Sequence, residues 1–134
     1  RDGRATSASI MRNLNVKSME EAGKIWKRAL LSRKKVYEMV PENHRTWVKY
    51  EDICSSPGSA LSETFSKLGI EPVEISLSID PSKMHITGNR MSRKGPQRIN
   101  FREGWKTRLS EKELAGFNRL YGDINHSIGY PIEP

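Results

Sequence analysis

Met19, Ala22, Trp26, Ala29, Leu30, Tyr37 and Val40 recur at the three- and four-residue spacing of one helix face, and Pro41 stops the pattern. A stripe of that length has to be buried, so the chain must build its core around one long amphipathic helix. Trp26 belongs to that stripe and is expected in the core rather than as a stacking platform. The other face carries Lys24, Lys27, Arg28, Lys34 and Lys35, which makes it a basic surface.

Two more helices carry their own start and stop signals. Ser55-Ser56-Pro57 reads as a cap with proline at the first helical position, Leu61, Phe65 and Leu68 share a face, and Gly69 ends the run. Near the C-terminus Ser110 and Glu113 form a capping box and Leu109 and Leu114 a hydrophobic staple. Leu114, Phe117, Tyr121, Ile124 and Ile128 follow as a buried stripe that stops at Gly129 and Pro131. Between these helices, His44 to Tyr50 is rich in strand formers and predicts a buried strand, followed by the acidic pair Glu51-Asp52. Pro72, Pro81, Pro96, Gly88 and Gly95 break the pattern from Glu71 to Arg102, and the part from Ile86 to Phe101 is expected to be a long loop.

The 134 residues suit one domain or part of one. Lysine and arginine number 23 against 16 acids, a net charge of +7 that favours an anionic partner. A single cysteine, Cys54, excludes intrachain disulfides and thiolate metal cages. No apolar run approaches the roughly 20 residues that span a bilayer, so no membrane segment is expected. Asn125-His126-Ser127 matches the glycosylation acceptor pattern, a match short enough to arise by chance.

Three places have the chemistry of phosphate and base recognition. The first is Arg1-Asp2-Gly3-Arg4-Ala5-Thr6-Ser7-Ala8-Ser9, a turn dipeptide leading into a helix from Ala5 through Met11. A helix N-terminus offers unpaired N–H groups, and here two guanidinium groups and several hydroxyls would join them around an anion. The same residues also suit plain capping and a solvated arginine. The second is Tyr50, where the predicted strand runs out beside Glu51-Asp52 and a base or ribose could be met. On pattern alone a core tyrosine, with Asp52 as a turn or cap acceptor, is the favoured reading. The third is the basic stretch from His85 to Gly95, in which Arg90, Arg93 and Lys94 sit between Gly88 and Gly95, so that the backbone could approach an anion that guanidinium groups grip.

In this order the segments R-D-G-R-x-x-x-x-S, K-Y-E-D-I, S-P-G-S-A-L-x-x-x-F-x-x-L-G-I, H-x-x-G-N-R-M-S-R-K-G and G-W-K-x-x-L-S resemble the sulfotransferase superfamily over nearly the whole chain. The resemblance implies an α/β, P-loop nucleotide-hydrolase-like fold, with residues 1–134 the C-terminal part of a single such domain, mostly helical with one or two strands. It implies transfer of a sulfuryl group from 3′-phosphoadenosine 5′-phosphosulfate (PAPS) to an acceptor hydroxyl or amine, without a metal. Arg1 and Ser9 have the spacing of the family's 3′-phosphate pair, Tyr50 matches a tyrosine near the adenine, and Arg93-Lys94-Gly95 looks like the family's R-K-G triplet. Either Arg90 or Arg93 could make the phosphate contact, because Gly88-Asn89-Arg90-Met91 is closer to bacterial and carbohydrate-type members. Gly104-Trp105-Lys106 also departs from the family's G-D-W-K, coming later and lacking the aspartate.

The family's 5′-phosphosulfate loop and its usual catalytic His or Glu lie upstream of the first motif. The chain begins at that motif, and by itself it is expected to hold the nucleotide end of PAPS without transferring anything. His44, His85 and His126 each read as structural or solvated. Cytoplasm and Golgi lumen both fit. Two rivals remain: a basic helical module that binds nucleic acid or another polyanion through α-helical lysines, and a fragment of a P-loop kinase. The sulfotransferase reading expects no nucleic acid partner and leaves the acceptor open.

Overall fold

In a computed structural model of the protein, which describes residues 1–71, 78–79, 97–98, 101 and 103–132, the hydroxyl of Ser18 accepts the Glu21 amide at 3.1 Å and starts the longest helix. The chain divides into two compact units, Arg1–Pro41 with Glu103–Pro134, and Glu42–Arg102.

The first unit is built from three helices: α1 (Gly3–Leu14), α2 (Met19–Met39) and, labelled here in chain order, α5 (Glu111–Ser127). Asn15, in the left-handed conformation at φ 54°, ends α1, and α2 stops just ahead of Pro41 as its sequence requires. Met19, Trp26, Leu30, Phe117 and Tyr121 form the core, with Ile10, Met11, Leu109, Ile124 and Ile128 packed around it. The Trp26, Phe117 and Tyr121 rings meet in tilted pairs whose centroids are 5.4 Å apart, a geometry that suits their quadrupoles. Two glycines permit this packing. A Cβ on Gly3 would lie 2.6 Å from Trp26 and 2.7 Å from Phe117, and one on Gly23 would run into the Tyr121 ring. The Tyr121 hydroxyl donates to the Glu20 carbonyl at 2.8 Å, which anchors α5 on the first turn of α2.

The capping box of α5 forms in full. The Ser110 amide donates to the Glu113 carboxylate at 2.8 Å, and the Glu113 amide donates to the Ser110 hydroxyl at 3.3 Å. These bonds hold the Glu113 carboxyl below the ordinary glutamate range, the Ser110 backbone N–H being the main cause. Lys24, Lys27, Arg28, Lys34 and Lys35 are all exposed on α2.

The second unit contains a 3₁₀ turn at Glu42–His44, α3 (Tyr50–Ser55), α4 (Pro57–Lys67), and β1 (Ser78–Ile79) paired antiparallel with β2 (Gln97–Arg98). Pro57 starts α4 as expected, although the Ser56 side chain makes no capping bond. Gly69, at φ 65°, closes it, with the Ile70 amide donating to the Phe65 carbonyl at 2.9 Å and the Gly69 amide to Ser66 at 3.2 Å. This double closure satisfies the last carbonyls of the helix.

Two expectations about the sheet are corrected. His44 to Tyr50 is not a buried strand: His44 ends a 3₁₀ turn, residues 45–49 form no regular element, Trp47 is 43% exposed, and Tyr50 opens a helix. Glu51 and Asp52 fall in the first turn of that helix, where carboxylates favour the positive end of the helix dipole. The local charge pattern prevails over strand propensity. The α/β P-loop architecture is corrected with it. Among the described residues the elements are helices and one antiparallel pair of two-residue strands. A doubly wound fold needs parallel strands covered on both faces by crossover helices, and the only ladder among the described residues is antiparallel. No helix among the described residues is long and apolar enough to cross a membrane.

Candidate functional site

The first turn of α1 is where charge and burial coincide. Asp2 is the N-cap and only 6% exposed, and Arg4 is 2% exposed. The Asp2 carboxylate accepts the Arg4 amide at 2.8 Å, the Arg4 Nε at 3.1 Å and the Arg4 Nη2 at 2.7 Å. The guanidinium plane also lies over the Trp105 ring, 4.8 Å from its centroid. A buried guanidinium needs this combination, a bidentate carboxylate on its edge and an aromatic face beneath it.

Asn125, 2% exposed on α5, completes the cluster. Its Oδ1 accepts the Gly3 amide at 2.8 Å, and its Nδ2 donates to Asp2 Oδ1 at 3.3 Å. The amide orientation follows from the partners, since a backbone N–H can only donate and a carboxylate can only accept. The carbonyl of the same residue accepts the Ile128 and Tyr130 amides at 3.3 and 3.2 Å. Asn125 thus closes one helix with its backbone and opens another with its side chain. Its burial takes it out of consideration as a glycan acceptor.

This geometry changes what α1 can offer an anion. The amides of Gly3 and Arg4, the first two of the helix, are bonded to Asn125 and Asp2, and the Asp2 carboxylate already meets the positive end of the dipole. Arg4 points into the cluster and Ser7 is fully buried. Of the groups expected around an anion, Arg1 and Ser9 remain toward solvent. Arg1 is exposed, and the half-buried Ser9 accepts a bond from Asn13 Nδ2 at 3.1 Å. The helical rise puts Ser9 about 10 Å along the axis from the N-cap.

Tyr50 lies in the second unit at the start of α3, 37% exposed. Arg90, Arg93, Lys94 and Gly95, and the expected basic loop with them, lie outside the described residues. The second unit has an open cleft of about 410 Å³ whose lining includes Trp47, Lys49, Asp52, Ser59, Glu63 and Lys67. Its lysines are balanced by its acids, and Lys67 is bonded to Glu63 at 2.8 Å, which holds the Glu63 carboxyl below its ordinary range. The cleft therefore lacks the positive excess of an anion site. Among the described residues no three His, Cys, Asp or Glu side chains come together as a metal site.

Sequence reasoning overlooked Asp2, Trp105 and Asn125 as a group and placed Arg4 with the anion. Asp2 ahead of a helix is a recognisable N-cap. Asn125 carries no such signal, being separated from Gly3 by almost the whole chain. Compared with protein-family models, curated proteins and solved structures, the chain matches none of them.

Proposed function

We propose that this chain binds the 3′-phosphoadenosine end of PAPS and serves the transfer of a sulfuryl group from PAPS to an acceptor hydroxyl or amine. The observation that carries this reading is that Arg1, just ahead of α1, is exposed and Ser9, on α1, is half-buried, while Arg4 and Ser7 are buried. The chemistry of Arg1 and Ser9 fits a phosphate dianion, since a guanidinium and a hydroxyl supply donors to oxygens that have no protons of their own. The internal satisfaction of the helix N-terminus supports a contact made by side chains rather than by the helix dipole. In the same reading Tyr50 lies near the adenine, and Arg93-Lys94-Gly95, with Arg90, add cationic grip on the 3′-phosphate. Such fixed donors would hold and orient the nucleotide by its 3′-phosphate, while the sulfuryl group departs from the 5′-phosphate at the other side of the ribose.

Titration calorimetry tests the reading. Adenosine 3′,5′-bisphosphate should bind more tightly than adenosine 5′-monophosphate, and Ser9→Ala or Arg93→Ala should remove the difference. Equal binding of the two nucleotides by the wild-type chain would overturn it. The exposed row Lys24, Lys27, Arg28 and Lys35 on α2 favours a second reading, a polyanion surface. That surface would bind oligonucleotides with an affinity that falls steeply with salt and ignores the 3′-phosphate.

A further inference from the structure

Residues 1 to 3 lead into α1 through one backbone amide and one side-chain carboxylate that α5 holds from the side. The Gly3 amide is bonded to Asn125 Oδ1, and the Asp2 carboxylate receives Asn125 Nδ2. Gly3 is also pressed against Trp26 and Phe117, which sets the axial position of the helix and hence of Ser9. Arg1 is one peptide away from the bonded pair. The entrance to α1, next to Arg1, is therefore held in part by a side chain at the far end of the sequence.

We propose that Asn125 is a positioning residue for the Arg1 and Ser9 phosphate site, acting through Asp2 and Gly3 rather than by touching the nucleotide. The proposal rests on the nucleotide reading above. An α-helix leaves its first amides without internal partners, and a terminus that loses its cap frays by a turn. Without Asn125, Asp2 still caps the Arg4 amide, but the Gly3 amide loses its partner and the Asp2 carboxylate its tie to α5, which loosens the entrance that Arg1 precedes. Ser9, in the second turn, stays helical. One arm of the phosphate clamp is loosened while the other persists.

Asn125 is suited to this because its amide supplies one donor and one acceptor in the sense that its two partners require. Leucine has nearly the same shape and supplies neither. Aspartate keeps an acceptor for the Gly3 amide but sets a second carboxylate against Asp2, where like charges repel. Both substitutions should loosen the entrance to α1, by different routes.

The test compares wild type, Asn125→Leu, Asn125→Asp and Ser9→Ala by calorimetry against adenosine 3′,5′-bisphosphate and adenosine 5′-monophosphate. Near-ultraviolet circular dichroism at the assay temperature identifies the folded variants. In a folded Asn125 variant, bisphosphate affinity should fall about tenfold, the scale of one lost charge-assisted bond, with monophosphate affinity unchanged. If Ser9→Ala loses the bisphosphate preference and both folded Asn125 variants keep it, the positioning role is wrong and the nucleotide reading stands. Equal losses for the two nucleotides would reduce Asn125 to general structural support and also overturn the role. A wild-type chain with no preference would overturn both.

Discussion

Asn125 Oδ1 lies 2.8 Å from the Gly3 amide across 122 residues of sequence, and that bond joins the end of α5 to the beginning of α1. Around it are the other members of one buried polar cluster, Asp2, Arg4 and the Trp105 ring. Buried polar groups are costly when a partner is missing, and this cluster makes the entrance to α1 one of the most sensitive parts of the first unit.

The Asp2 and Arg4 pair gives a sharp contrast between single and double replacement. Their side chains are 8% and 2% exposed. Arg4→Leu, which leaves the carboxylate buried without its guanidinium, should lower stability by about 3–5 kcal/mol. Asp2→Asn combined with Arg4→Leu should be less destabilising than Arg4→Leu alone, because no unpaired charge remains. Urea denaturation of the three proteins measures this, and a double variant weaker than the Arg4 single would contradict it.

Gly3→Ala sets helix propensity against packing. Alanine favours the helix by up to about 1 kcal/mol, but its Cβ would meet Trp26 and Phe117 at 2.6–2.7 Å, and overpacking of this kind typically costs about 1–3 kcal/mol. The net effect should be a lower urea midpoint at unchanged slope. A raised midpoint would mean that the two rings shift at little cost.

Ser7 has a fully buried hydroxyl with no hydrogen-bond partner among the described residues. Ser7→Ala should therefore raise stability by about 1 kcal/mol, since it removes an unsatisfied polar group and adds the best helix former. Loss of stability on this substitution would show that the hydroxyl is bonded in solution.

Glu113 predicts a pH dependence. Its carboxyl titrates below the ordinary glutamate range in the folded chain because Ser110 donates to it. Its contribution is thus fully present above the unfolded-state pKa and is lost as the pH falls through the lower folded value. Glu113→Gln should flatten the acid side of a plot of melting temperature against pH and leave its alkaline side unchanged in shape. An acid side as steep as that of wild type would remove the capping carboxylate from the account.

The helices were legible because their signals are local. The period of Met19, Ala22, Trp26 and Leu30, the Ser110 and Glu113 box, and Gly69 after Leu68 each act within a few residues of themselves. The segment from His44 to Tyr50 was misread because strand formation needs a neighbour to pair with, and propensity alone does not supply one. The α/β architecture was inferred through that strand and the family resemblance, and it fell with the absence of a parallel ladder among the described residues. Arg4 was placed with the anion because its charge is visible in sequence, while the carboxylate and indole that draw it inward are visible only in three dimensions.

By itself the sequence determined where the long helices run, which face of each is apolar, and that Arg1 precedes and Ser9 lies on the first of them. Tertiary structure alone decided that the Gly3 amide belongs to Asn125, that Arg4 is a buried structural cation, and that Gly3 is there for its lack of a side chain. The reason is physical: capping and periodicity are set by near neighbours, whereas burial brings Asn125 and Trp105 to Asp2 and Arg4 from the opposite end of the chain.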